Sequence, residues 1–540
     1  MTDAALARPP GPPALAAPPD SAVNARGEVD WTKVFLGFGG MVVGQFMAFL
    51  DIQIVSSSLS QIQAGISASA DEISWVQTIY LLAEVVIMPL TAYLTKMLGT
   101  RRFYVTAAAS FIVASVATGL SSSIEMMIVT RALQGLAAGA MIPPVFATAM
   151  TVFPPERRVT ANVIVGLIST LAPTIGPTLG GHITEALDWR WLFFINLPPG
   201  LLVMFLVSRY GGFDKGDPSL AKGIDWLGLG VMAVFLLSMQ YVLEEGASNN
   251  WFQDGLILWL TVLAGVAGAI FIWRQLTYKQ PIVSLAPFRN KNFTLGVMMS
   301  FVSGLSIFGG TFVIPLFLGQ VLRYSAAEVG TTMLVSGLVM FVTAPIGGRI
   351  VRAMDLRIGM VGGFLIATVG MGLGAHINRN WGYGEFAALQ ALRAVGVMIA
   401  MIASQQLTVS TLPVSLMKDA SGLVNLIRNV GGAVGLAVLS TLLSRQTAVH
   451  YSELSAAVST ASTASQDLLA GLTALMQERG VVDAAGAARK AVGMMIHREA
   501  VVLAFADAFA FLACGTLFAA TIALFTGRAR ANMGPPGGGH

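Results

Sequence analysis

The sequence predicts an all-α protein that crosses a membrane many times, and three observations carry that expectation. Of its 540 residues 55% are hydrophobic and only 11% are charged, with a mean hydropathy of +0.72. A soluble domain carries roughly a quarter charged residues, and a water-soluble core of this size would divide into domains joined by polar linkers. Apolar runs of about 20 residues, the length that crosses a bilayer as a helix, recur along nearly the whole chain. Third, the basic residues gather in alternate connections between those runs.

Residues 1–30 are interrupted by proline and alanine ("RPPGPPALAAPPD"). That leaves no continuous apolar core for a cleavable signal peptide, and the segment is expected to be a disordered cytoplasmic tail. Spans are then expected near 34–55, 73–94, 103–120, 125–150, 160–183 and 191–209, forming an N-terminal six-helix half over 31–210. Two more, near 225–243 and 255–273, form an insert with flanking cytoplasmic connections over 211–290. Six close the chain, near 293–318, 328–350, 358–376, 386–410, 420–443 and 501–526. They make a C-terminal half over 291–526 that includes a long periplasmic loop, 445–498, before a cytoplasmic tail at 527–540. The total is roughly fourteen spans.

With the N-terminus inside, Lys96, Arg101, Arg102, Arg157, Arg158 and Lys418 fall in cytoplasmic connections, whereas "SSSLSQIQAGISASADE" and "EEGASNNWFQDG" on the outer side carry no Lys or Arg. This asymmetry places both termini inside. The division into halves rests on an echo: "AYLTKMLGTRR" follows the second span and "GGRIVRAMDLR" follows the tenth, and duplicated halves are a mark of secondary transporters. In the long loop, "SQDLLAGLTALMQERG" has helical spacing of Leu and Met and reads either as a helix lying on a membrane or partner, or as a solvated linker. The lone Cys514 forms no internal disulfide, and a formal charge of +4 gives no reason to expect nucleic acid.

No phosphate-binding Gly-x-x-x-x-Gly-Lys loop, dense His/Cys cluster or Gly-x-Ser-x-Gly elbow is present, so no cofactor, metal or hydrolytic chemistry is expected. Charges inside spans carry the functional signal, because they are costly in lipid and tend to face cavities. They are Asp51 in "FLDIQIV", Glu84 in "LLAEVVIMPL", Arg131 in "VTRALQG", Arg393, Arg428 and Asp507 in "FADAF". A carboxylate in low dielectric favours its neutral form and a nearby Arg favours the charged one, so moving the two together or apart loads and releases a proton. Asp51, Glu84, Arg131 and Asp507 are assigned to proton coupling on that basis; the alternative is a static clamp between helices. Counted from Val34 at about 1.5 Å per residue, Asp51 lies in the outer half of its span. A proton is expected to reach it from the outer side. Pro173, Gly176, Pro177, Gly180 and Gly181 load span 5 with helix breakers, read either as tight packing or as a gate.

The motifs together resemble the major facilitator superfamily. "RALQGLAAGAMIPP" (Arg131, Gln134, Gly135, Gly139) is similar to its span-4 motif, and "APTIGPTLGG" to its span-5 antiporter motif. "DWRWLFFINLPPG" and "FLDIQIVSSSL" resemble the span-6 entry and span-1 motif of fourteen-span drug:proton antiporters of the EmrB/QacA type, closest to the EmrB-like branch. The resemblance covers about residues 34–526. It departs where Lys96 replaces the usual Asp and Ala92 the usual Gly of the span 2–3 loop, which keeps Gly99, Arg101 and Arg102, and where Gln53 and Ser56 replace Thr and Asn in span 1.

The resemblance implies a bacterial inner-membrane antiporter that exports hydrophobic or amphipathic drugs against protons. Such proteins commonly work with a periplasmic adaptor of the membrane-fusion type and an outer-membrane channel. Gln45, Gln53, Gln134 and Asn425 are expected at a substrate cavity between the halves, with aromatic and Met side chains that repack around varied compounds. The rival readings are a dedicated metabolite or siderophore exporter of the same fold, a membrane-embedded enzyme on lipid substrates, and a sensor that binds without transport.

Overall fold

In a computed structural model, residues 30–56, 58–410, 412–458 and 463–527 are described. The expected tails lie outside this set apart from Asp30 and Gly527. All regular structure among the described residues is helical. In chain order the long helices are α1 (Trp31–Ser56), α2 (the bent pair Trp75–Ile87 and Thr91–Leu98), α3 (Thr100–Gly119), α4 (Ile124–Thr151), α5 (Pro155–Ala186) and α6 (Leu197–Tyr210, after the short turn Trp191–Phe194). The insert is α7 (Trp226–Glu245) and α8 (Gly255–Thr277). Then follow α9 (Lys291–Gln320), α10 (Ala326–Ala353), α11 (Leu356–Gly374), α12 (Tyr383–Ser410), α13 (Met417–Ala457) and α14 (Ala484–Leu524).

Twelve of these helices are long and apolar enough to cross a membrane, and the bent pair makes thirteen. Only α5 separates that number from the fourteen positions read from the sequence. It is 32 residues long, and its Thr, Ser, Gly, Pro and Arg content lowers its apolar character. Its Val159 and Val163 belong to the core of the C-terminal helices, while its Gly176 touches α1. The two parts of α2 meet at 57° across Met88–Leu90, where Pro89 lacks the N–H that a continuous helix needs.

Local chemistry sets the helix starts. Ser123 opens α4, Asp254 α8, Asn290 α9 and Asp355 α11, each accepting a backbone N–H of the first turn. Ser325 and Glu328 form a reciprocal capping box at α10. Trp259, Phe205, Val113 and Leu338 are exposed large apolar side chains, as helices facing lipid require.

One core is built wholly from residues between Val34 and Phe213, and two others mainly from α9 to α14. A fourth joins Met232 and Leu236 of α7 to Val85 of α2, Phe293 and Val297 of α9, and Leu423 and Val424 of α13. The insert therefore packs across the junction of the halves. Asp225, just before α7, accepts from the Gly228 N–H and from Arg274 of α8 at 2.9 Å. Burial pushes the Asp225 carboxyl up, but Arg274 and the Gly228 N–H outweigh it and hold the group below the usual carboxylate range.

The region 445–498, expected as a loop, is largely helical. α13 and α14 each run to 41 residues, and a helix at Thr463–Glu478 stands between them. At 1.5 Å per residue such helices are about 60 Å long, roughly twice the apolar thickness of a bilayer, so they project beyond it at what we call the loop end. Lys96, Arg101, Arg102, Arg157 and Lys418 mark the opposite, basic end.

Two ion pairs bolt the structure at that basic end. Lys96 Nζ of α2 donates to both carboxylate oxygens of Asp419 in α13, at 2.6 and 2.8 Å. Lys418 pairs with Asp214, which also accepts the Thr100 N–H at 2.7 Å. Across the same seam the Ser421 hydroxyl donates to the Pro143 carbonyl at 2.9 Å. Gly99 sits at φ +80°, where an L side chain is strained and its Cβ would lie 3.0 Å from the Gly216 nitrogen. Arg101 and Arg102 are exposed beside it.

Candidate functional site

The centre of the site is Asp51, fully buried in the last third of α1. One carboxylate oxygen accepts from Arg131 Nη1 at 2.5 Å. The other accepts from the Gln134 amide at 2.9 Å and the Asn196 amide at 2.8 Å. Arg131, also fully buried, donates from Nε to the Val76 carbonyl at 3.0 Å and from Nη1 to Gln134 Oε1 at 3.0 Å, and lies 4.1 Å above the Tyr80 ring. Its Nη2 has no partner. A buried ion pair is tolerated only when further hydrogen bonds satisfy its remaining lone pairs and protons; here three donors, from α4 and the turn into α6, satisfy the carboxylate.

Each motif positions one of these groups. Arg131 and Gln134 lie one turn apart on α4, so both face α1. Gly135 and Gly139 continue that stripe: a Cβ there would stand 2.3 Å from the Tyr80 carbonyl oxygen and 2.5 Å from that of Glu84. Only glycine lets α4 rest on the α2 backbone this closely. In "INLPPG" the prolines occupy the first turn of α6, where their missing N–H costs nothing. Asn196 precedes them and donates both to Asp51 and to the Ser115 hydroxyl at 3.0 Å.

Beside this cluster lies a cavity of about 320 Å³ walled by both halves and the insert. Phe49, Ile52, Gln53 and Ser56 of α1, Gln77, Leu81 and Glu84 of α2, and Ser169 of α5 line one side. Ile307, Phe308, Thr311 and Phe312 of α9, Met401 of α12, and Arg428, Asn429 and Leu436 of α13 line the other, with Gln240 and Glu244 of α7 between. Glu84 is 2% exposed and its Oε2 has no hydrogen-bond partner. Arg428 donates to Asn425 Oδ1 at 2.6 Å and lies 5.2 Å from the Phe146 ring.

The sequence-assigned residues thus divide. Asp51, Arg131 and Gln134 form one cluster inside the N-terminal half; Asp51 is not among the cavity-lining residues, so a substrate in the cavity does not meet its carboxylate directly. Glu84 and Gln53 are on the wall itself. Gln45 sits one step behind, donating to the lining Ser169 at 3.0 Å. Asn425 reaches the cavity only through Arg428, and otherwise faces a small void with Met150, Gln405 and Ser421.

Asp507 is elsewhere. It accepts from Gln446 at 3.0 Å and lies 2.8 Å from His450, joining α14 to the extended part of α13. In α5 the "APTIGPTLGG" stretch is continuous helix. Gly176 packs so closely that its Cβ would stand 2.3 Å from Gln53 Cβ, Gly180 is buried and Gly181 faces open space. The side chains of Pro173 and Pro177 lie outside the described set. Arg393, 1% exposed, donates to Ser336 at 2.5 Å while its Nε and Nη1 lack partners.

Sequence reading missed three features of the site: Asn196 as a ligand of Asp51, the α7 contribution to the cavity, and the Lys96–Asp419 bolt. Only the first had a signal, an Asn at a helix start.

Two helical halves, a cavity between them and a buried charge pair beside it are the architecture of a secondary transporter. The chain belongs to the Major Facilitator Superfamily, whose family model matches residues 41–436. Among known proteins it is similar to the colistin resistance protein EmrB of Acinetobacter baumannii, 38% identical over 94% of this chain and 100% of that one. The multidrug export protein EmrB of Escherichia coli is 30% identical over 76% of this chain and 81% of its own. These relatives place the chain in the EmrB-like branch. Among solved structures, the proton:xylose symporter XylE superimposes with a TM-score of 0.56 at 13% identity, covering 93% of this chain and 97% of XylE. The human organic anion transporter MFSD10 does so at 0.54 and 11%, covering 89% and 99%. At those identities they speak for the fold alone.

Proposed function

We propose that this protein is a proton-coupled exporter of hydrophobic or amphipathic toxic compounds, seated in a bacterial inner membrane with its basic end and both termini in the cytoplasm. The names of its relatives, a colistin resistance protein and a multidrug export protein, support the substrate class. The excess of Lys and Arg at the basic end supports the orientation. The observation that carries the coupling is the buried Asp51–Arg131 pair on a helix whose neighbouring residues line the cavity.

With Asp51 ionised, Arg131, Gln134 and Asn196 draw α1 onto α4 and α6. A proton on Asp51 removes the Coulomb attraction to Arg131 and leaves weaker neutral hydrogen bonds. α1 is then free to shift, and it carries Phe49, Ile52 and Gln53 on the cavity wall. Gly176 of α5 packs directly on Gln53, so the movement passes to a second wall helix. Glu84 is a second acidic group in the path, and the Lys96–Asp419 and Lys418–Asp214 pairs hold the basic end shut while the cavity empties at the other end. A periplasmic adaptor and an outer-membrane channel would receive the compound, with the α13–α14 projection as the adaptor's contact.

In inverted vesicles holding a preset pH gradient, adding a hydrophobic test compound dissipates the gradient if this reading is right. Compound movement that leaves the gradient unchanged refutes the proton coupling.

A further inference from the structure

The insert α7 belongs to neither six-helix half, yet it brings two polar side chains to the cavity wall. Gln240 is 4% exposed and its Oε1 has no hydrogen-bond partner; Glu244, one turn further, lines the same space. The position of α7 is fixed. Met232 and Leu236 pack in the core shared with α2, α9 and α13, the Tyr241 ring lies 5.7 Å from Trp75, and the Trp251 indole after α7 donates to Thr441 of α13 at 2.8 Å. The Trp75 contact sets Glu244 level with the start of α2 and the lining Gln77, near the loop-end mouth. Glu84 and Arg428 lie deeper, since Glu84 is seven residues, about 10 Å, further along α2.

The charges of the cavity do not cancel at both ends. Arg428 is the lining cation and acts electrostatically on Glu84 at the deep end. No hydrogen bond or ion pair holds Glu244 among the described residues, and its sequence neighbour Glu245 is of like charge. Between the two ends stand the rings of Phe49, Phe308 and Phe312, which attract a cation as well as apolar surface. We propose that α7 is a substrate-contacting wall and that Glu244 is a specificity residue selecting amphipathic compounds that carry positive charge, an inference that rests on the export reading above. A partly desolvated carboxylate without a counter-ion binds such a compound by supplying the missing ion pair, and repels an anion of the same shape.

Tetraphenylphosphonium and tetraphenylborate, alike in size and opposite in charge, test this by equilibrium binding to the purified full chain in detergent. Wild-type protein binds the phosphonium more tightly. Glu244→Gln weakens it about tenfold or more, about 1.4 kcal/mol, and leaves the borate unchanged or tighter; Glu244→Asp recovers most of the phosphonium affinity. A wild-type preference for the borate overturns the inference, and so does a Glu244→Gln protein that binds phosphonium like wild type or loses both ions alike. Binding requires no gradient, so these outcomes are independent of the vesicle test of export: selective binding without transport would sink the export reading instead.

Discussion

Replacing Asp419 with Asn removes the anion that holds Lys96 across the junction of α2 and α13. At a separation of 2.6 Å and an effective dielectric of about 20, the gross attraction is ~6 kcal/mol. Most of that does not survive. The Lys96 side chain is 34% exposed and Asp419 5%, so water screens one partner while the other has already lost its hydration. A net value of ~1–2 kcal/mol is left between the surface and buried limits, and it shifts the equilibrium between closed and open seams about 5–30-fold. Ser421 reports on that seam, because it is 6% exposed and bonded to the Pro143 carbonyl. In a Cys514→Ala background, Ser421→Cys is expected to react with a charged maleimide about tenfold faster when Asp419→Asn is added, and Lys96→Gln should act similarly. The charge-reversed pair Lys96→Asp with Asp419→Lys should slow labelling again. Unchanged labelling in Asp419→Asn, or a charge-reversed pair as open as the single variants, refutes the clamp.

Two other expectations follow from packing and from the projecting helices. Gly139→Leu forces a side chain where even a Cβ would lie 2.5 Å from the Glu84 carbonyl oxygen; the overpacking costs ~1–3 kcal/mol and appears as a lower thermal midpoint in detergent, whereas an unchanged midpoint denies the α2–α4 contact. On the proposal that the segment serves only to meet an adaptor, deleting 455–490 is expected to spare transport in vesicles and lower whole-cell resistance; loss of both would make the segment structural.

Much of the fold was legible because the bilayer imposes long apolar runs and the basic connections alternate. Asp51 and Arg131 were legible as a pair for the same reason, since a charge inside such a run demands a partner; Gln134, expected at the cavity, instead lies one turn from Arg131 and bonds Asp51. Glu244 was not, because it ends an apolar run and reads as part of the connection "EEGASNNWFQDG"; only the packing of α7 on α2 and α13 turns it inward. The clamp was hidden differently. Lys96 and Asp419 are 323 positions apart, and each alone looks like an ordinary solvated end. The helices through 445–498 carry too many Ser, Gln and Arg residues for an apolar-run reading, while their Ala and Leu content favours helix without any membrane. α5 shows the converse. It sits at the seam between the halves, and the polar and small residues that suit that place lower its apolar signal.

The central claim is that protonation of Asp51 couples proton entry to export, and Asp51→Asn tests it most directly. The variant keeps the size of the side chain and abolishes its charge. In inverted vesicles it should still exchange labelled for unlabelled compound, because the cavity wall is intact. It should no longer dissipate a preset pH gradient when that compound is added. An Asp51→Asn protein that dissipates the gradient at the wild-type rate contradicts the account and moves the coupling to another carboxylate, with Glu84 on the cavity wall the first to examine.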